Sequence, residues 1–232
     1  MKREGRKIVG VVVYDFQMAQ IVDRAGVDIV SVGDSVGMNL WGDPSEDMVT
    51  LDEMLMSCAG VHHGVTRALV SCDVPHRIDD LIEAARALVA EGAEMVKVEA
   101  RSDSIRSIVE AGVPVWAQIT GQGTGDRGHD VAALVREAQL LEEAGASLLD
   151  FRHSGPVAGP AVARAVSIPV IGGLGGGPWL DGRVRAVMNA IGYTASALDD
   201  NADRYANVAR VAFEAITAYA DDVRGGRQVR GK

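Results

Sequence analysis

Apolar residues in this chain come in short blocks, and each block is followed by a stretch with helical spacing. Ile8 to Val13 (IVGVVV) is an unbroken apolar run, the pattern of a strand buried on both faces. Asp15 to Arg24 (DFQMAQIVDR) is amphipathic and stops near Gly26, a helix-ending residue. Val27 to Val32 is the next predicted strand. Thr50 then opens a helix in which Leu51, Met54, Leu55 and Cys58 recur at helical spacing, with Thr50 and Glu53 placed to form a capping box. The alternation continues through strands Arg67–Cys72, Met95–Val98, Val113–Ile119, Ser147–Phe151 and Ile168–Ile171. The matching helices are Asp79–Ala90, Ser102–Glu110, Val131–Glu143, Val157–Val166 and Ala202–Tyr219. Val184 to Ile191 suits either an eighth strand or a short helix, and propensity does not choose between them.

Strand–helix units repeated without a strand-only stretch call for a parallel sheet with helical crossovers. Seven or eight such units in 232 residues favour a closed TIM (β/α)8 barrel over an open sheet. A recurring phrase supports the short connections this requires. Arg24-Ala25-Gly26, Glu91-Gly92-Ala93, Glu110-Ala111-Gly112 and Glu143-Ala144-Gly145 each place a glycine at a helix end just before a strand. With no linker or low-complexity segment in view, the expectation is a single domain over residues 1–232, ending in a flexible glycine- and arginine-containing tail at 225–232.

Composition narrows the function classes. Hydrophobic content is 47% but aromatics only 4%, so the core is aliphatic and closely packed. A formal charge of −9 argues against nucleic acid or an anionic membrane as the main partner. Two cysteines, Cys58 and Cys72, suit a reduced cytoplasmic protein without a disulfide framework. MKREGRKIVG lacks an apolar signal core, and no apolar run is long enough to span a bilayer.

The chemistry of a barrel belongs to the loops that follow the strands. Asp34 in VGDSVGM, Asp73 in ALVSCDVP and Glu99 in MVKVEA each stand where an apolar run stops. A single aspartate at a strand end is more often a helix cap than a ligand. Acids at matching positions on three successive strands converge on one mouth, where they would hold a divalent metal. Lys97 lies two residues before Glu99 and so faces the same side of its strand. It would either grip a substrate carboxylate or oxyanion, or pair with Glu99. The long loop VGDSVGMNLWGDPSEDMVT carries Ser35 and three glycines and is suited to closing over a ligand. GGLGGGP (Gly172 to Pro178) would let backbone amides approach an anion, although its glycine spacing does not fit a dinucleotide fingerprint.

Several of these segments together resemble the ketopantoate hydroxymethyltransferase family, of the isocitrate lyase and phosphoenolpyruvate mutase superfamily. The resemblance is carried by Tyr14-Asp15, AGVDIVSVGDSVGM, VTLDEML, RALVSCDVP, VKVEA, IPVIGGLGGGPWLDGRV and RYANVARVAFEAITAYADDVRGG, in that order and almost end to end. It implies a metal, usually Mg2+, at Asp34, Asp73 and Glu99. It also implies a small 2-oxo acid substrate, with Ser35 and Lys97 near its carboxylate and oxygen atoms. The family chemistry removes a proton beside the ketone and adds the enolate to a one-carbon unit from methylenetetrahydrofolate. A homo-oligomer is implied as well, although the family's segment ahead of MKREGRKIV has no counterpart here.

Two departures bear on the reaction. Aligning AGASLLDFRHSGP with the family's sixth strand puts Arg152 where the family has its glutamate base, followed by His153. Arginine stays protonated and has no acceptor, so it cannot take that proton; loss of a positioned base costs on the order of 10²- to 10⁴-fold. A slip of one or two residues would bring Asp150 or His153 to the site instead, and His153 is an alternative base. Gln118 replaces a histidine at the end of the fifth strand, and the following loop, TGQGTGDRGHD, is shorter than the family's. Gln118 can hydrogen-bond a ligand but carries no proton.

The leading expectation is therefore a metal-dependent enzyme that makes or breaks a C–C bond next to a 2-oxo acid carbonyl, with Arg152 gripping a second anionic group. Decarboxylation or retro-aldol cleavage reaches an enolate without proton abstraction. The alternatives are conventional hydroxymethyl transfer to 3-methyl-2-oxobutanoate or a relative, and a ligand-binding paralogue without activity.

Overall fold

The computed structural model describes residues 1–99, 101–119, 130–173 and 177–228. Its backbone forms a closed parallel barrel in sequence order: β1 (Ile8–Val13), β2 (Ile29–Val32), β3 (Leu69–Asp73), β4 (Met95–Val98), β5 (Val115–Gln118), β6 (Leu148–Asp150), β7 (Val170–Gly172) and β8 (Gly182–Ala186). The connecting helices are α1 (Phe16–Ala25), α2 (Leu51–Gly64), α3 (Leu81–Ala90), α4 (Ser102–Glu110), α5 (Val131–Glu143) and α6 (Ala158–Ala165), with α7 (Val187–Ile191) and α8 (Val208–Arg224) after the last strand. The expected TIM barrel is thus present.

Each helix starts and stops for a local reason. Asp15 caps α1 by accepting the Met18 N–H at 2.9 Å. The Thr50–Glu53 capping box opens α2, with Glu53 Oε2 accepting from the Thr50 N–H at 2.8 Å. Asp80 Oδ1 accepts from the N–H groups of both Ile82 and Glu83 at the start of α3. At the opposite ends, Gly26, Gly92, Gly112 and Gly145 all adopt positive φ, between 87° and 105°. The recurring glycine phrase therefore marks the left-handed residue that turns each helix directly into the next strand.

Strand alternation sorts the side chains into two layers. Outward residues such as Val30, Val70, Val96, Val115, Leu149 and Val170 are almost completely buried in the layer between sheet and helices. Inward residues change character with height. Ile8, Ile29, Met95, Trp116, Leu148, Ile171 and Val184 pack into an apolar plug. Above it the interior turns polar: Ser71 donates to Ser31 at 2.8 Å, and Asp73, Lys97, Gln118 and Asp150 follow. The barrel closes where Ile8 N–H donates to Asp181 O at 2.9 Å, and a Cβ on Gly182 would collide with the Ile8 carbonyl.

Two expectations are revised. Val184–Ile191 is neither strand nor helix throughout, because β8 ends at Ala186 and α7 begins at Val187. The change of period inside this stretch is what made its propensity ambiguous. The closing helix starts at Val208 rather than Ala202, since Asn207 accepts the Arg210 N–H at 2.9 Å and so fixes the N-terminus there. By proximity of residues the chain forms two compact units, Met1–Arg185 and Ala186–Lys232. Within the second, Asn207 also donates to Ala197 O at 2.7 Å, and Arg227 folds back onto Asp222 at 2.7 Å. Among the described residues no helix is long and apolar enough to cross a membrane.

Candidate active site

The C-terminal ends of β2 to β6 surround a cavity of about 200 Å³. Its charged and polar lining is Asp34, Asp73, His76, Lys97, Glu99, Gln118 and Arg152. Seven of the positions singled out in the sequence are Asp34, Asp73, Lys97, Glu99, Gln118, Arg152 and His153; the first six meet here, though they are spread over 119 positions of chain from Asp34 to Arg152. Sheet register explains the convergence. Asp73 is level with Lys97, Lys97 with Trp116, and Gln118 with Asp150, so inward side chains on adjacent strands meet in a slanted row.

Lys97 is the hub. Its Nζ lies 3.5 Å from Asp73 Oδ2 and 3.4 Å from Asp150 Oδ2, and 5.5 Å from the ring centre of the fully buried Trp116. Burial by itself would lower the lysine pKa; the charges of Asp73 and Asp150 outweigh it and hold the pKa above its ordinary value. Lys97 is therefore held in its charged ammonium form at neutral pH. Its nearest acids are Asp73 and Asp150, not Glu99 as one sequence reading supposed.

Asp150, which the sequence offered only as an alternative occupant of the base position, is the buried member of this network. It is 1% exposed, and its Oδ2 also receives Arg152 Nε at 3.3 Å. One buried carboxylate oxygen thus holds both cations of the mouth. Arg152 stands one pleat higher and is about 30% exposed on its side chain. Among the described residues only its Nε is engaged, by Asp150. Burial would lower its pKa, but Asp150 and Asp73 more than compensate. Proton acceptance by Arg152 is excluded.

Gln118 donates to Glu99 Oε2 at 2.7 Å, an amide that neutralises no charge and fixes the carboxylate's orientation. Ser35 lies after β2, outside the cavity lining; its hydroxyl is 3.0 Å from Tyr14 Oη. Asn39 Nδ2 donates to Tyr14 Oη at 3.1 Å and to Ser35 O at 2.8 Å, so the three residues brace the start of the loop. His153 is exposed, adopts φ 52°, and does not line the cavity. The anion-binding reading of Gly172–Pro178 falls partly on residues 174–176, and the loop TGQGTGDRGHD almost wholly on 120–129, outside the described residues.

Two of the acids are desolvated and only partly satisfied. Asp73 Oδ1 is buried without a hydrogen-bond partner among the described residues. The Asp73 pKa is raised to about 6, chiefly by burial, with Lys97 opposing the rise and the charge of Asp34 adding to it. Asp34 is likewise raised by burial and then by Glu46. Adjacent desolvated carboxylates with a lone pair unspent suit a divalent cation, which would remove both penalties. His76 and Glu46 also approach Asp34: His76 Nε2 is 3.2 Å from Asp34 Oδ2, and one ligand atom from each of Asp34, Glu46 and His76 lies within 4.8 Å of the others. Neither residue had a signal in the sequence, because both sit in loops whose paths are set by tertiary contacts.

A closed eight-stranded parallel barrel with a cluster of charged residues at its C-terminal mouth defines the class, the (β/α)8 barrels. The family model for ketopantoate hydroxymethyltransferase matches residues 1–228, and the chain belongs to that family. It is 36% identical to the 3-methyl-2-oxobutanoate hydroxymethyltransferase of Hyperthermus butylicus, over 97% of this chain and 84% of that one. It is also 36% identical to the enzyme of the same name from Aeropyrum pernix, over 98% and 89%. The fold is shared with 2,3-dimethylmalate lyase, a PEP mutase/isocitrate lyase superfamily member (TM-score 0.66, 14% identity, 100% and 87% covered). It is shared equally with phosphonopyruvate hydrolase in complex with oxalate and Mg2+ (TM-score 0.65, 14% identity, 97% and 85% covered).

Proposed function

We propose that this protein is a divalent-cation-dependent enzyme that makes or breaks a C–C bond beside the carbonyl of a 2-oxo acid bearing a second anionic group. The observation that carries this reading is the mixture of acids and cations lining one cavity, Asp34, Asp73 and Glu99 together with Lys97 and Arg152. Asp34 and Asp73, with Glu99, would hold the cation, which when bound polarises the substrate carbonyl and stabilises negative charge developing next to it. A family relationship to hydroxymethyltransferases and a fold shared with a lyase and a hydrolase of phosphonopyruvate support chemistry of this type.

The chain's own residues then have separable tasks. Lys97, charged and fixed between Asp73 and Asp150, faces oxygen atoms of the substrate. Arg152, anchored through Nε, offers the rest of its planar fork to the second anion. Gln118 keeps Glu99 oriented. In a decarboxylation, the C–C bond to a carboxylate breaks, that group leaves as CO2, the bond's electron pair stays on the carbon beside the carbonyl as an enolate, and a proton from solvent completes the product. No base is needed at the position of Arg152. Binding of an oxaloacetate-like diacid and of its monoacid counterpart to wild type and Arg152→Ala, by calorimetry, tests this. The diacid should lose affinity at least about tenfold, as expected for a lost charge-assisted contact, while the monoacid should not. Equal diacid affinity in the two proteins would refute the grip.

The name shared by the curated relatives supports a second reading, hydroxymethyl transfer from methylenetetrahydrofolate to 3-methyl-2-oxobutanoate or a relative. Proton–deuterium exchange at C3 of that acid, followed by NMR, separates the two. Rapid cation-dependent exchange would favour the transferase; its absence beside diacid turnover would favour cleavage.

A further inference from the structure

We infer that His76 and Glu46 join Asp34 as ligands of the cation in this chain, so that the site prefers a borderline transition ion such as Mn2+, Co2+ or Zn2+ to Mg2+. The inference rests on the reading that the barrel mouth holds a divalent cation. It adds which residues of this chain close the site and what class of ion they select.

The ligand geometry comes from separate segments. Asp34 follows β2, Glu46 lies in the 3-10 turn Glu46–Met48 of the same connection, and His76 follows β3. Each route is fixed locally. Ser45 Oγ accepts from the Asp47 N–H at 3.2 Å and starts the turn that carries Glu46. Val74 N–H donates to Lys97 O at 2.9 Å, which carries the sheet register one residue past Asp73 and launches Pro75-His76 over the mouth. The result is two carboxylates and an imidazole with ligand atoms inside 4.8 Å, spanning a space of ion-binding size.

An independent observation places unused donor capacity in the same cavity. Asp73 lines it together with Asp34 and His76, and its buried Oδ1 lacks any described partner. The cavity lining therefore runs from the deeply buried Asp73 carboxylate to the His76 side chain, 40% exposed. Mg2+ is a hard ion that takes oxygen ligands and keeps several waters, so an imidazole adds little for it. Mn2+, Co2+ and Zn2+ accept imidazole nitrogen readily. Bare preference for these ions would not suffice as proof, because most mixed sites bind them more tightly than Mg2+. The discriminating quantity is how far that preference depends on His76.

The full-length protein, stripped of metal with chelator, is titrated calorimetrically with CoCl2 and with MgCl2. In His76→Ala, Co2+ affinity should fall about tenfold or more while Mg2+ affinity stays within about threefold. His76→Gln retains a hydrogen-bond donor for Asp34 and should lose Co2+ preference as well, and the visible absorption of bound Co2+ should change in both variants. Glu46→Gln should weaken both ions, as loss of an oxygen ligand does. Parallel loss of both ions in His76→Ala, no loss, or full Co2+ preference in His76→Gln would each overturn the assignment of His76, and unchanged binding in Glu46→Gln would overturn that of Glu46. Asp73→Asn reports on the underlying reading. If it abolishes binding of both ions while the His76 variants behave as wild type, the cation site stands and the histidine ligand falls. If wild type binds neither ion, both fall.

Discussion

Asp150 and Arg152 lie on one strand end, two residues apart, with Arg152 Nε 3.3 Å from the same carboxylate oxygen that faces Lys97 at 3.4 Å. The acid is sealed from solvent, its Oδ2 faces two cations, and its Oδ1 accepts from the Gly173 N–H at 3.4 Å. This arrangement makes Asp150 a positioning residue for the two groups proposed to meet substrate.

Asp150→Ala should therefore cost more stability than Arg152→Ala. Removing the carboxylate leaves Lys97 with Asp73 alone and strips Arg152 of its anchor; breaking a buried pair in this way costs about 3–5 kcal/mol. Arg152 is partly exposed, and Asp150 keeps Lys97 when it goes, so Arg152→Ala should cost no more than about 1–2 kcal/mol. Urea midpoints of the two variants, measured on the metal-free protein, check the order.

Asp73 predicts a pH dependence of stability. Its carboxyl titrates near 6 in the folded chain against 3.8 ordinarily, so between these values the folded state binds more protons than the unfolded one. Stability from this group is intact below about pH 4 and is lost as pH rises through about 6. The loss is on the order of 3 kcal/mol at neutral pH in the metal-free protein. Asp73→Asn should flatten the profile in chelator-containing buffer; a slope equal to that of wild type would show that Asp73 is not its source.

Divalent cation should act in the opposite sense. Binding to ionised Asp34 and Asp73 stabilises the fold only once they have lost their protons. The cation-induced rise in Tm should thus be large at pH 7.5 and shrink as pH falls through about 6. Thermal melts with and without cation across this range measure it.

The Tyr14–Ser35–Asn39 brace offers a more local test. Tyr14→Phe deletes the hydroxyl that contacts Ser35 and accepts from Asn39, which should cost about 1 kcal/mol. Amide exchange should speed up in residues 33–42 and remain unchanged in β4 and β5. Uniform acceleration across the barrel would show a global effect instead.

Much of this site was legible in the residues themselves. Strand ends announce themselves where β-branched runs stop, which located Asp34, Asp73 and Glu99, and a spacing of two put Lys97 on the face of Glu99. The same spacing placed Asp150 below Arg152, but nothing along the chain told that Asp150 would be sealed between two cations. That depends on β6 lying level with β5 and on Lys97 reaching across from β4. His153 shows the converse. A histidine next to Arg152 suggested a base, yet it has a left-handed backbone, is exposed and does not line the cavity.

The sequence by itself determined the repeat of strand and helix, the glycine-ended turns that join them, and the acids at the strand tips, because each follows from contacts within a few residues. Only the tertiary structure decided which charges share a partner and which loop residues approach Asp34. Barrel closure and loop path set those distances, and they bring together side chains that are far apart along the chain. Asp150 between Lys97 and Arg152, and His76 beside Asp34, are products of that closure.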